Sequence, residues 1–136
     1  MVLKEMTSRQ RVREALNHRE SDMFPIDLGG SRCSGISAVA YRKLKQYLNL
    51  GTDGIKLLDV FMQLAEVEPE VLQIIGGDVV YLKPLYITFG MRLDKWKPGK
   101  LTDGSDALVP FNFNPFTAEE GYKEIKEGEL IIAKIA

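Results

Sequence analysis

The sequence predicts an α/β chain, built of helices and parallel-type strands to about residue 85 and β-rich from 86 to 136. Three observations carry that prediction. Apolar residues recur at helical spacing around Val12 and again around Leu44. Short apolar runs at 23–28 and 78–82 are bounded by glycine or proline, as buried strands are. Beyond Pro84, strand-like runs alternate with turns containing Gly, Asp and Pro. A helix, then a strand, a polar loop and a second helix is how a parallel α/β fold opens. In such folds ligands gather at the C-terminal ends of strands.

Each element has a local reason. Thr7, with Gln10 three residues later, forms a capping box, and Val12, Ala15 and Leu16 supply the apolar stripe of the first helix. That helix ends at Asn17 and His18, and a polar linker runs over 19–22. Residues 23–28 read as a strand stopped by Gly29 and Gly30, which allow a tight turn. Either Ser34 or Ser37 caps the next helix, with Ile36, Ala40, Leu44 and Leu48 inward and Arg42, Lys43 and Lys45 outward. Gly51 is its expected C-cap. Residues 55–60 form a second apolar segment ending near Asp59, and 61–65 fit a strand end or a helix equally well. Pro69 opens a third helix that Gly76 and Gly77 close, and 78–82 (DVVYL) reads as a buried strand. Residues 86–93, 107–113 and 130–135 are strand-like, with hairpin turns expected at Asp103-Gly104 and Glu127-Gly128. The stretch 95–106 is the most loop-like, and Trp96, Phe111, Phe113 and Phe116 are expected to pack the β-rich part.

With 136 residues the chain can build one cored domain. A net charge of −1 gives no basic surface for nucleic acid or an anionic membrane, and no apolar run approaches a membrane span. One cysteine excludes an internal disulfide and a multi-cysteine zinc site. A cytoplasmic location is expected.

Asp59 is the candidate catalytic residue, and Arg32 and Asp27 are the candidate substrate-binding residues. If 55–58 is a strand, Asp59 stands at its C-terminal end; the alternative is an N-cap for the segment that begins at Val60. Arg32 follows the first strand, where a guanidinium can grip a carboxylate or phosphate in bidentate fashion, or simply be an exposed loop arginine. Asp27 interrupts an apolar run, so it either faces a site beside Arg32 or binds a backbone amide. Cys33 and His18 read as a plain loop cysteine and a helix-end residue.

The stretch MTSRQRVREALNHRESDMFPIDLGG is similar to the opening of the uroporphyrinogen decarboxylase superfamily, which includes corrinoid-dependent methyltransferases. Ser8, Arg9, Arg11, Val12, Ala15, Leu16, Asp22, Pro25 and Asp27 keep its pattern of S-R-E-R-V-x-x-A-L-x-x-x-x-P-D followed by P-V-D. GISAVAYRKLKQYLNL resembles the second helix of the methyltransferase-like branch, and LLDVFMQLAEVEPEVLQIIGGDVVYL resembles the unit after it. DGSDALVPFNFNP resembles a β-insertion of the form D-G-x-x-x-L-V-P-x-x-F-N. The motifs are individually loose, but they run in order along nearly the whole chain.

The resemblance implies a (β/α)8 (TIM) barrel, which needs about 250 residues. On that reading 1–85 hold the N-terminal helix and first β/α units, 86–136 form a β-rich insertion, and the chain is an incomplete N-terminal portion. A homo-oligomer or a complementing chain is then expected, because free strand edges associate. The implied chemistry is methyl transfer between a corrinoid and a thiol or small methylated compound, with a corrinoid protein as partner. The decarboxylase branch implies loss of carboxylate from an acidic tetrapyrrole. That branch has an S-D-I-L motif where this chain reads Leu58-Asp59-Val60-Phe61, which implies a substrate-holding role for Asp59. Its R-Q-A-G-R loop is replaced here by Gly29-Gly30-Ser31-Arg32-Cys33, which favours the methyltransferase-like branch. The His-x-Cys zinc motif of that branch is not in this sequence. The competing expectation is a non-catalytic binding or assembly module.

Overall fold

The computed structural model describes residues 5–87, 90–119, 121, 123–127 and 130–135. Helix α1 (Ser8–Leu16) starts at Thr7 with both halves of the capping box in place. Its stripe, however, is not the apolar one. Arg11 is buried while Leu16 is 76% exposed, because the guanidinium reaches two carboxylates inside the body of the protein. Arg11 Nε lies 2.7 Å from Asp22 Oδ1, its second nitrogen donates to Asp22 Oδ2 at 3.0 Å, and its third donates to Asp78. Two residues that carry the resemblance, Arg11 and Asp22, are thus a structural staple.

Segments 23–28 and 78–82 lie side by side without forming a ladder. Asp78 N–H donates to the Ile26 carbonyl at 2.8 Å, but Ile26 N–H is taken by the Asp78 side chain at 2.9 Å. A carboxylate thus stands where a second main-chain bond would continue the pairing. The expectation of buried strands fails here: Val80 and Leu82 are exposed, and so is Asp27.

Helix α2 (Ala38–Tyr47) is capped by Ser37 rather than Ser34, the hydroxyl accepting from Ala40 N–H. It ends earlier than Gly51, at Leu48, and Asn49 takes the left-handed conformation at φ 56°. Lys45, expected outside, is buried because its ammonium pairs with Glu68. Tyr41, fully buried, accepts from Glu68 N–H at 2.9 Å through its hydroxyl. This couples α2 to the start of α3 (Pro69–Ile75), which carries Pro69 in its first turn and a left-handed Gly76 at its end.

Between the two helices, β1 (Leu57–Asp59) and β2 (Leu64–Ala65) form a short antiparallel hairpin, so 61–65 is a turn followed by a strand. The C-terminal part is three further antiparallel assemblies. These are β3 (Tyr86–Ile87) with β4 (Met91–Arg92), β5 (Trp96–Lys100) with β6 (Asp106–Pro110), and β7 (Phe116–Thr117), β8 (Lys123–Glu127) and β9 (Leu130–Ile135) as a three-stranded sheet. The supposed loop 95–106 therefore contains β5, stabilised by full pairing with β6 across the Asp103-Gly104 turn. Gly128, from the other expected turn, lies outside the described residues, as does Phe116's side chain. Trp96 and Phe113 pack on the core, whereas Phe111 is exposed.

All ladders among the described residues are antiparallel, with one parallel bridge, Lys56 to Leu108. That bridge, supported by Leu108 N–H donating to the Ile55 carbonyl at 2.7 Å, joins the two regions. One apolar core results. It runs from Tyr41, Leu57 and Val71 to Leu93, Val109 and Ile125, across the expected boundary at 85/86.

Candidate functional site

The loop after segment 23–28 closes on itself. Gly29 N–H donates to the Ser34 carbonyl at 2.8 Å, and the Ser31 and Ser34 hydroxyls each accept from the other's backbone amide. Glycine is needed at both leading positions because of close packing. A Cβ on Gly29 would stand 2.7 Å from Val67 Cγ2, and one on Gly30 would stand 2.4 Å from Val79 Cγ1. Gly29 also adopts φ 79°. Asp27 Oδ1 accepts from Gly30 N–H at 2.8 Å, so of its two readings the backbone-partner one is observed.

This loop delivers Arg32 to the end of β1. Arg32 Nε lies 3.2 Å from Asp59 Oδ2, with the Arg32 side chain 39% exposed and that of Asp59 only 4%. The other carboxylate oxygen, Oδ1, accepts from Phe61 and Met62 N–H, each at 2.9 Å. Asp59 therefore does cap the segment beginning at Val60, although that segment is a hairpin turn and not a helix. It is also paired with Arg32. A carboxylate so fixed can hold the guanidinium in one orientation. The chain brings Arg32 and Asp59 together, while Asp27 is engaged by the turn behind them.

Cys33 is exposed and His18 sits beyond the end of α1 at φ 55°. Among the described residues no three His, Cys, Asp or Glu side chains converge on a metal-sized point. No described helix is long and apolar enough to cross a membrane.

Beside the site runs a cleft of about 430 Å³, lined by Leu28, Gly29, Leu58, Val67, Tyr81 and the ion pair Lys83–Glu66, among others. Sequence reasoning missed Glu66 and Lys83, as it missed Arg11 with Asp22 and Asp78, and Tyr41 with Lys45 and Glu68. At Arg11 and Lys45 the helical pattern assigns the charge to solvent, and the carboxylates that draw them inside lie outside their helices.

The two networks explain the displaced titrations. The Arg11 hydrogen bond, with Met6 N–H behind it, holds the Asp22 carboxyl well below its usual range. Burial pushes Asp78 upward, but the Ile26 amide, the Ser8 hydroxyl and Arg11 outweigh it and the net shift is down. Burial pushes the Tyr41 phenol up to about 12, against the opposing bond from Glu68 N–H.

Compared with protein-family models, with curated proteins and with solved structures, the chain matches none.

Proposed function

We propose that this chain is the N-terminal portion of a uroporphyrinogen decarboxylase-like barrel protein of the corrinoid methyltransferase-like branch. Arg32 and Asp59 would line one edge of the substrate mouth. The observation that carries the reading is the 3.2 Å pair between Arg32, on the loop after segment 23–28, and Asp59, at the C-terminal end of β1. Loop and strand end are where a barrel of this class gathers its ligand-binding groups. In this arrangement Asp59 positions and Arg32 contacts: the guanidinium receives an anionic group of the substrate, and the buried carboxylate fixes its orientation. A corrinoid, when bound, supplies the methyl-carrying cobalt. This chain supplies the anchoring charge.

The exposed apolar residues Leu16 and Leu82 support a partner, either a complementing chain or a second copy. A second reading, a binding or assembly module, is favoured by the single core that spans both regions. The test is methyl transfer from methylcobalamin to a thiol by the complete assembly containing this chain, wild type against Asp59→Asn and Arg32→Gln. Loss of at least about tenfold in kcat/KM for both variants, with folding intact, is expected. Full activity in both removes the pair from the site. A wild-type chain that unfolds cooperatively as a monomer and transfers no methyl group in any assembly moves the conclusion to the binding module.

A further inference from the structure

Glu66, which lines the cleft beside the Arg32–Asp59 pair, carries an unmatched polar atom. Glu66 Oε1 accepts from Lys83 Nζ at 2.6 Å, whereas Glu66 Oε2 is shielded from solvent and has no hydrogen-bond donor among the described residues. A buried carboxylate oxygen without a donor is costly, and native proteins leave few such atoms unmatched. The rest of the lining is largely apolar: Leu28, Leu58, Val67, Leu72, Val80 and Tyr81. A volume of about 430 Å³ is within the range of small-molecule sites.

We propose that this cleft is a binding site for a mainly apolar small molecule carrying one N–H donor, which the Glu66 carboxylate receives. The apolar walls select the body of the ligand and exclude a strongly charged one. Lys83 already neutralises Glu66, so a second cation would meet the ammonium, and a neutral N–H is the complementary group. The terminal torsion of a glutamate is soft, so the proposed ligand N–H can draw the unmatched oxygen, shielded from solvent here, to the cleft surface. Gly29 and Gly77 line the same cleft, so their amide signals report on its occupancy. The proposal does not depend on the activity assigned to Arg32 and Asp59, since its test reads binding alone.

Indole and benzofuran have nearly the same shape and differ by the N–H, which makes them the probe pair. Titration of the full chain with each, followed by ¹H–¹⁵N spectra, is expected to shift Gly29 and Gly77. Indole should bind about tenfold or more tighter than benzofuran, as an unmatched buried acceptor implies. In Glu66→Leu the preference should fall to about one, with benzofuran binding no weaker than before, and Trp96 fluorescence should verify the fold. The wild-type comparison needs no variant, so it decides even if Glu66→Leu fails to fold. Equal binding of the two probes by wild type, or no saturable shift from either at about 1 mM, overturns the proposal.

Discussion

The two regions of the chain are held together by different physics. Up to residue 85, segments distant in sequence are tied by charged side chains: Arg11 to Asp78 across 67 positions, and Lys45 to Glu68 across 23. From residue 86 onward, neighbours in sequence pair in antiparallel ladders, and the buried groups are mainly apolar: Met91, Leu93, Leu101, Val109 and Ile125. Hairpins close short loops and gain main-chain bonds at once. The first region closes long loops, and its short extended segments supply few ladder bonds, so side-chain ion pairs and hydrogen bonds do the joining. Its stability should therefore depend on pH and on single charges, and that of the second region on packed volume.

The sharpest way to break this contrast is Arg11→Met. It leaves the Asp22 and Asp78 carboxylates buried without their cation, an arrangement costlier than a matched apolar replacement of all three. The urea midpoint should fall further than for any single core truncation in the second region, and the double change of Arg11→Met with Asp78→Asn should recover part of the loss. A midpoint unchanged by Arg11→Met would remove the staple from the account of the fold. The same network predicts acid sensitivity. Both carboxyls have folded pKa values below their unfolded ones. Their contribution is complete above about pH 4 and is lost as pH falls through the depressed values. Urea unfolding followed from pH 6 down to pH 2 should show that loss in wild type and much less of it in Arg11→Met.

Val109→Ala tests the other region. Removing two buried methyl-sized groups should cost about 2 kcal/mol, and the cost should be the same at pH 4 and pH 7. A strongly pH-dependent cost would blur the distinction between the regions. Gly30→Ala addresses the loop that carries Arg32. The new methyl would meet Val79 and Asp27, at 2.4 and 2.5 Å before any relaxation. A loss of about 1–3 kcal/mol is expected, reduced when Val79→Ala is added. The smallest effect is Tyr41→Phe, at about 1–2 kcal/mol, since Glu68 N–H loses its acceptor. Tyr41 also titrates upward on folding, so its contribution is full below about pH 10 and lost as pH rises toward about 12. Wild type should show that alkaline loss, and Tyr41→Phe should not.

Much of the local structure was legible from the residues. The Thr7 and Gln10 capping box, the Pro69 start and Gly76 end of α3, and the Asp103-Gly104 turn are decided by atoms within a few positions of each other. Periodicity misread α1 and α2 because it assigns charge to solvent. Arg11 and Lys45 are buried, and the reason lies in carboxylates at 22, 78 and 68 that no helical window contains. The candidate site was half legible. Asp59 could be placed at a strand end from its neighbours, and its partner Arg32 could be placed in a loop, but only the folded hairpin sets them 3.2 Å apart.

The sequence by itself determined the capped start of α1, both ends of α3, the Asp103-Gly104 turn and a turn at Gly29 and Gly30, whereas the Gly51 end expected for α2 moved to Leu48. Tertiary structure decided which charges are inside, which strands pair, and which apolar residues remain exposed. The division follows from range. Caps and turns are short-range contests between one side chain and nearby backbone groups, settled before distant segments meet. Burial of an arginine, or the interruption of a strand pair by Asp78, depends on whether a partner arrives from elsewhere in the chain, and only the completed packing supplies it.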